Sequence, residues 1–247
     1  MLNAFLWGFL ATISLAVGGL IGIFFKIGKR PLGLIMAFGA GVLLSAVAYE
    51  LVFKAIKGST LSGASMIGLL TGAFFFFIVD RLIGRMGAGG RKKISGVHDS
   101  NIVVPIVLAT ILDGIPETLV IGISLLGGGE IGLGMLVAVF ISNLPEAIAG
   151  TSGMVAGAWR SGKILLLWLL IAVVCAFSSL AGFSLLGNAR AETISFIQTF
   201  AGGAILVMLS NTMIPEAYEH GGKLAGIFTV LGFAVAVSMA LLEAMPK

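Results

Sequence analysis

Charge is scarce in this chain. Only 11% of its 247 residues are Asp, Glu, Lys or Arg, against roughly 25% in an ordinary soluble domain. That shortage excludes a water-soluble globule. Cysteine is nearly absent: Cys175 stands alone, so no internal disulfide can form. It lies in an apolar run and reads as a small core side chain. With only two histidines, there is no Cys/His zinc motif, and no phosphate-binding loop appears either. Nothing supplies a nucleophile beside a base, so the chain is not expected to be an enzyme or to need a cofactor. Intramembrane proteolysis would require a second mid-span Asp beside Asp113, and Asp80 is too close to a helix end. Residues 1–25 lack a basic start and a small-residue cleavage site, so they read as a first membrane span and not as a removable signal.

Apolar length fills the space that charge leaves. The chain is 58% hydrophobic with mean hydropathy +1.13. A spanning helix needs about 20 apolar residues, and segments 2–25, 32–53, 63–84, 102–127, 130–157, 163–187, 194–215 and 223–243 qualify. Gly-rich or charged breaks separate them, among them Gly127-Gly-Gly-Glu130 and Glu219-His-Gly-Gly222. The basic pI of about 9.4 comes from residues in short loops, which is a topology signal and does not indicate a nucleic-acid partner. With the N-terminus outside, cytoplasmic loops hold Lys26, Lys29, Arg30, Arg81, Arg85, Arg91, Lys92, Lys93, Arg160, Lys163 and Lys223. The other side holds Lys54, Lys57, Arg190 and Lys247, a balance of 11 to 4. Both termini are therefore expected outside.

The two ends of the chain resemble each other. Phe38-Gly-Ala-Gly-Val-Leu-Leu in the second span pairs with Phe200-Ala-Gly-Gly-Ala-Ile-Leu in the seventh. Trp7 pairs with Trp168, and Leu70-Thr-Gly72 with Val230-Leu-Gly232, at offsets of 162, 161 and 160 residues. Three spans per copy make the second copy enter the membrane with opposite polarity. The expectation is an all-α polytopic membrane protein of eight helices in a 3+2+3 inverted repeat, the architecture of secondary transporters. It forms one transmembrane domain, 1–247: repeat one 1–86, a cytoplasmic loop 87–101, central spans 102–159 and repeat two 160–247.

Three Pro-Glu pairs fall within or at the ends of these segments: Pro116-Glu117, Pro145-Glu146 and Pro215-Glu216. Asp113 and Glu117 are spaced i, i+4, and Asn143 and Glu146 i, i+3, so each pair shares one helical face. Pro116 and Pro145 have no N–H to donate and free the carbonyls of Leu112 and Ile141 one turn back. Carboxylates with freed carbonyls form an oxygen-rich cage suited to a cation. Ionisable groups at membrane depth mark ion pathways. Asp113, Glu117, Asn143 and Glu146 are therefore the candidate metal ligands. Glu50, near the outer end of the second span, reads equally as an access ligand or an interfacial anchor. Glu216, Glu219 and His220 read equally as a metal exit site or a solvated helix end. Asp80 reads as a local partner of Arg81, and His98-Asp99 as part of a basic linker.

On these motifs the chain resembles the ZIP family of divalent metal transporters, its bacterial GufA-like and ZupT-like branches in particular. The fourth span of that family typically reads His-Asn-x-Pro-Glu-Gly, where this chain has Asp113-Gly-Ile-Pro-Glu117-Thr. The fifth-span counterpart is Ser142-Asn143-Leu-Pro-Glu146-Ala. The stretch Phe38 to Glu50 resembles the family's second span, with Leu43 where a methionine is often found. Ala201-Gly-Gly-Ala followed by Ile-Pro-Glu216-Ala resembles its seventh. The resemblance implies that Glu117 and Glu146 bridge metal, that Asp113 takes the position of the fourth-span His, and that Asn143 takes a second-site ligand position. Gly114 loses the family's Asn and span six offers no carboxylate, so one intact site is implied. The resemblance further implies divalent metal ions as cargo, inward transport, a bacterial or archaeal cell membrane, lipid as surroundings and a homodimer.

The substitutions change the chemistry. With Asp for His and Leu for Met, the ligands from these helices are all oxygen, which favours Mn, Mg or Fe(II) without excluding Zn. Three carboxylates carry one charge more than a divalent ion neutralises, so a proton is expected on the empty site and transport is expected to depend on pH. Two alternatives stay open: a non-metal secondary transporter using the same carboxylates, and a non-transporting relative.

Overall fold

In lipid, every backbone N–H and C=O must find its partner within the chain, and long apolar runs do so as helices. The computed structural model, which describes residues 1–58, 62–85, 103–126 and 133–244, is all-α, with no strand among the described residues. Eight helices are long and apolar enough to cross a membrane: Leu2–Phe24, Lys29–Lys57, Gly63–Arg85, Ile106–Ser124, Leu133–Ala156, Ser161–Leu186, Ala191–Gly221 and Leu224–Leu242. They are spans one to eight below. The expected loop 87–101 with His98-Asp99, and the Gly-rich turn 127–130, lie outside the described residues.

Two spans run furthest beyond expectation. Span two was expected to end at 53 and continues to Lys57; span seven was expected at 194–215 and runs from Ala191 to Gly221. The reason is a π-helical segment inside each, Val47–Phe53 and Leu209–Met213. In span seven Ile214 N–H bonds the Leu209 carbonyl five residues back, just before Pro215, which has no N–H to offer. The wider turn carries the helix past the proline, and it ends only at Gly222, whose φ of 62° suits glycine. Glu216, Glu219 and His220 therefore lie on a helix, with Glu216 buried and Glu219 exposed, where a break had been expected.

Packing follows the repeat. The most extensive contacts are span three with span seven and its counterpart span eight with span two, span four with span six and its counterpart span one with span five, and the self-related pairs two with seven and one with six. Exchanging one with six, two with seven, three with eight and four with five maps this set onto itself. Glycines set the closest approaches. A Cβ on Gly41 would fall on the Thr229 carbonyl oxygen, and one on Gly203 would fall on that of Leu69. Likewise Gly72 lies against the Phe200 carbonyl and Gly232 against that of Phe38. Each pair is the other's repeat image. Spans two, three, seven and eight form one group, and spans one, four, five and six another. Two–five and four–seven contacts join them.

Outward faces of spans three and eight are apolar, with Phe74, Ile78, Val230 and Leu241 all more than half exposed. Such a surface is suited to lipid tails. The chain is thus an integral membrane protein, and its eight apolar helices are compatible with a membrane transporter.

Candidate cation site

Spans four and five stay helical through Pro116 and Pro145. Around those prolines the interior is polar. Asp113 is 2% exposed, Glu117 1%, Asn143 3% and Glu146 6%. Ionised carboxylates at that depth cost several kcal/mol each unless something compensates them, so their burial on two neighbouring helices is not a by-product of packing. Neighbouring hydroxyls bond within their own helices. Thr118 Oγ1 donates to the Gly114 carbonyl at 2.7 Å, and Ser142 Oγ to that of Val139 at 3.1 Å. Asn143 Nδ2 is buried with no hydrogen-bond partner.

Surrounding helices approach these two through small residues. In span two, a Cβ on Gly39 would lie 3.3 Å from the Ile141 carbonyl oxygen, one of the two carbonyls that the prolines were expected to free. In span one, Gly18 faces the Leu144 carbonyl, 2.6 Å from the place of its Cβ. Ser178 of span six donates to the equivalent carbonyl of span four, Ile115, at 3.0 Å. Gly114 faces span six, where the Cys175 thiol lies 2.5 Å from the place of its Cβ. The side chain that the resemblance would put at position 114 has no room there.

At one end of the bundle a cavity of about 350 Å³ is lined by Glu50, Lys54, Val120, Ile123, Ser124, Leu126, Met135, Ile194 and Gln198. Glu50 sits in the π-helical segment of span two, and its Oε2 accepts from Met135 N at 3.2 Å. It thereby caps the first turn of span five, where helix N–H groups lack intrahelical partners. Asp113, Glu117, Val120 and Ser124 fall on one face of span four, and Met135, Val139, Ser142 and Glu146 on one face of span five. The cavity thus opens onto the faces that carry the buried carboxylates. The helix cap is a role that neither expectation for Glu50, access ligand or interfacial anchor, had named, and its place in the cavity wall is compatible with access.

At the opposite end, Glu216 Oε1 and His220 Nε2 lie 3.1 Å apart. Ligand atoms of Glu216, Glu219 and His220 all fall within 4.8 Å of one another, the only such trio of His, Cys, Asp or Glu among the described residues. Span two packs here, since a Cβ on Gly33 would lie 3.0 Å from His220 Cβ. Asp113, Glu117 and Glu146 do not converge to that degree.

Cys175, read as a small core side chain, is fully buried in the core with its thiol against Gly114. Sequence reasoning missed two features. Lys54 was counted only as a topology charge and lines the Glu50 cavity. The π-helical segments had a signal only in Pro215. Compared with known proteins, the chain matches no protein-family model and no curated protein.

Proposed function

We propose that the chain is a secondary transporter of divalent metal cations, Zn, Mn or Fe, and that it carries them into the cytoplasm through a site on spans four and five. One observation carries this reading: Asp113, Glu117, Asn143 and Glu146 are all buried at the two mid-helix prolines, on helical faces that continue into the Glu50 cavity. Glu50 serves the outer mouth, and Glu216, Glu219 and His220 receive the ion at the cytoplasmic end. The motif resemblance to the ZIP family supports the same cargo and direction, and the reading places the chain in a bacterial or archaeal cell membrane with both termini external.

A second reading, a carrier of small organic cations, is favoured by the spacing of the central carboxylates, which do not bring three ligand atoms within 4.8 Å. Uptake of labelled Zn and Mn in cells expressing the chain separates the two. Saturable uptake, with cross-competition among divalent metals, supports metal transport. Absence of uptake by a well-inserted chain removes it.

A further inference from the structure

We propose that the bundle binds a lipid acyl chain at mid-membrane, in an apolar cavity between span four and the pair of spans three and seven. This ligand is independent of whatever ion the carboxylates carry.

The cavity measures about 260 Å³, and every side chain lining it is apolar. Exposure falls from its mouth to its floor. Phe75 and Ile115 are 52% and 40% exposed, whereas Phe76, Ala201 and Ala204 are 1%, 0% and 2% exposed. Phe75 and Ile115 lie near the midpoints of spans three and four, so the mouth faces the hydrocarbon core of the bilayer, about 30 Å thick. Water finds no hydrogen-bond partner among these side chains. What stands at the mouth is lipid tail.

Packing elsewhere keeps the cavity open. Spans three and seven are held together by Gly72 against the Phe200 carbonyl and Gly203 against that of Leu69, and the Phe75 and Phe200 rings lie 5.6 Å apart between centroids. Span four is held by span six instead. A Cβ on Gly182 would lie 2.5 Å from the Leu119 carbonyl oxygen, and one on Gly122 would fall on that of Ser179. Both walls are thus fixed by other contacts, and neither collapses onto the other. At the repeat image of this joint the helices touch. Gly39 corresponds to Ala201 at the offset of 162 residues, and its Cβ position is 3.3 Å from the Ile141 carbonyl oxygen of span five. The cavity belongs to one side of the pseudo-symmetry and is not required by the fold.

Walls that lack partner atoms forfeit dispersion contacts, and an inserted chain restores them. An apolar cavity of roughly 150 Å³ already binds benzene, so this one has room for the end of an acyl chain. A helix from a second copy, about 10 Å across, is too thick to enter. Pro116 forms part of the wall, on the same turn of span four as Asp113 and Glu117. The acyl chain would therefore bridge the two helix groups at the depth of the buried carboxylates.

Full-length protein in phosphatidylcholine liposomes tests this, with a tracer lipid that carries a photoreactive diazirine at the end of one acyl chain. After irradiation, adducts are expected on Phe76, Ala201 or Ala204. Ala204→Leu, which fills the cavity, should lower them at least about tenfold, what exclusion of about two methylene groups amounts to. Labelling of Ile227 and Val230, exposed on the outer face of span eight, should not change. Adducts confined to Phe75 and Ile115 would overturn the proposal, whether a second copy or nothing covers the mouth. Adducts on the buried residues that Ala204→Leu leaves undiminished would overturn it too. If that variant does not insert, the wild type decides with a second tracer whose diazirine sits beside the headgroup. That tracer should miss the mid-span cavity, and equal labelling of the buried residues by both tracers would sink the idea.

Discussion

The two repeats share a packing frame and differ in chemistry. Gly41 against Thr229 is matched by Gly203 against Leu69, and Gly72 against Phe200 by Gly232 against Phe38. The π-helical segment Val47–Phe53 is matched by Leu209–Met213. At the same offset of 162 residues, Glu50 corresponds to Thr212 and Lys54 to Glu216. One end of the bundle therefore holds an acid with a base, and the other two acids with His220. Backbone approach tolerates only glycine on either side of the pseudo-symmetry, so both copies keep it. On the proposed path an ion would meet different surroundings at the two ends, so the polar residues need not match.

The largest expected effect breaks the centre, which neither repeat supplies. Glu117→Gln and Glu146→Gln should each lower divalent-metal uptake more than about 100-fold at matched expression, beyond the range for loss of an outer partner. Uptake retained in both would move the path away from spans four and five.

Next comes the frame. Gly41→Ala and Gly203→Ala each place a methyl group on a backbone carbonyl and should destabilise by about 1–3 kcal/mol, the usual cost of overpacking. Thermal unfolding in detergent should show similar losses for the two. A large loss in one and none in the other would show that the packing symmetry is not energetic.

Smaller effects sharpen the chemical asymmetry. Glu50→Gln removes the charge capping span five, worth about 0.3–1 kcal/mol of stability, and should raise the KM for metal several-fold, about 1 kcal/mol. Lys54→Glu should lower KM at low ionic strength, with the gain fading as salt screens the mouth. An unchanged KM in both would detach that cavity from the path. His220→Ala should have the smallest effect, a roughly two- to three-fold fall in maximal uptake, less than 1 kcal/mol. A fall as large as that of Glu117→Gln would make the trio of Glu216, Glu219 and His220, not the centre, the main site.

Much of this was legible before the fold. Spans one, three and eight follow from apolar run length alone, and Pro116-Glu117 and Pro145-Glu146 announce polar groups at membrane depth. The repeat was readable from Phe38-Gly-Ala-Gly and Phe200-Ala-Gly-Gly because close backbone approach leaves glycine as its trace. The ends of spans two and seven were misread, because Lys54, Glu216 and Glu219 look like loop charges until a π-helical turn carries the helix past them.

By itself, the sequence determined that the chain crosses a membrane eight times and where its buried carboxylates stand along the helices. Those properties depend on the solvation of consecutive residues, and each window carries its own answer. Only the tertiary structure decided that Glu50 caps Met135, 85 residues away, that Lys54 enters the same cavity, and that Cys175 meets Gly114. Those depend on which helix faces which and at what rotation. Summed packing over the whole bundle sets that choice, and no local pattern encodes it.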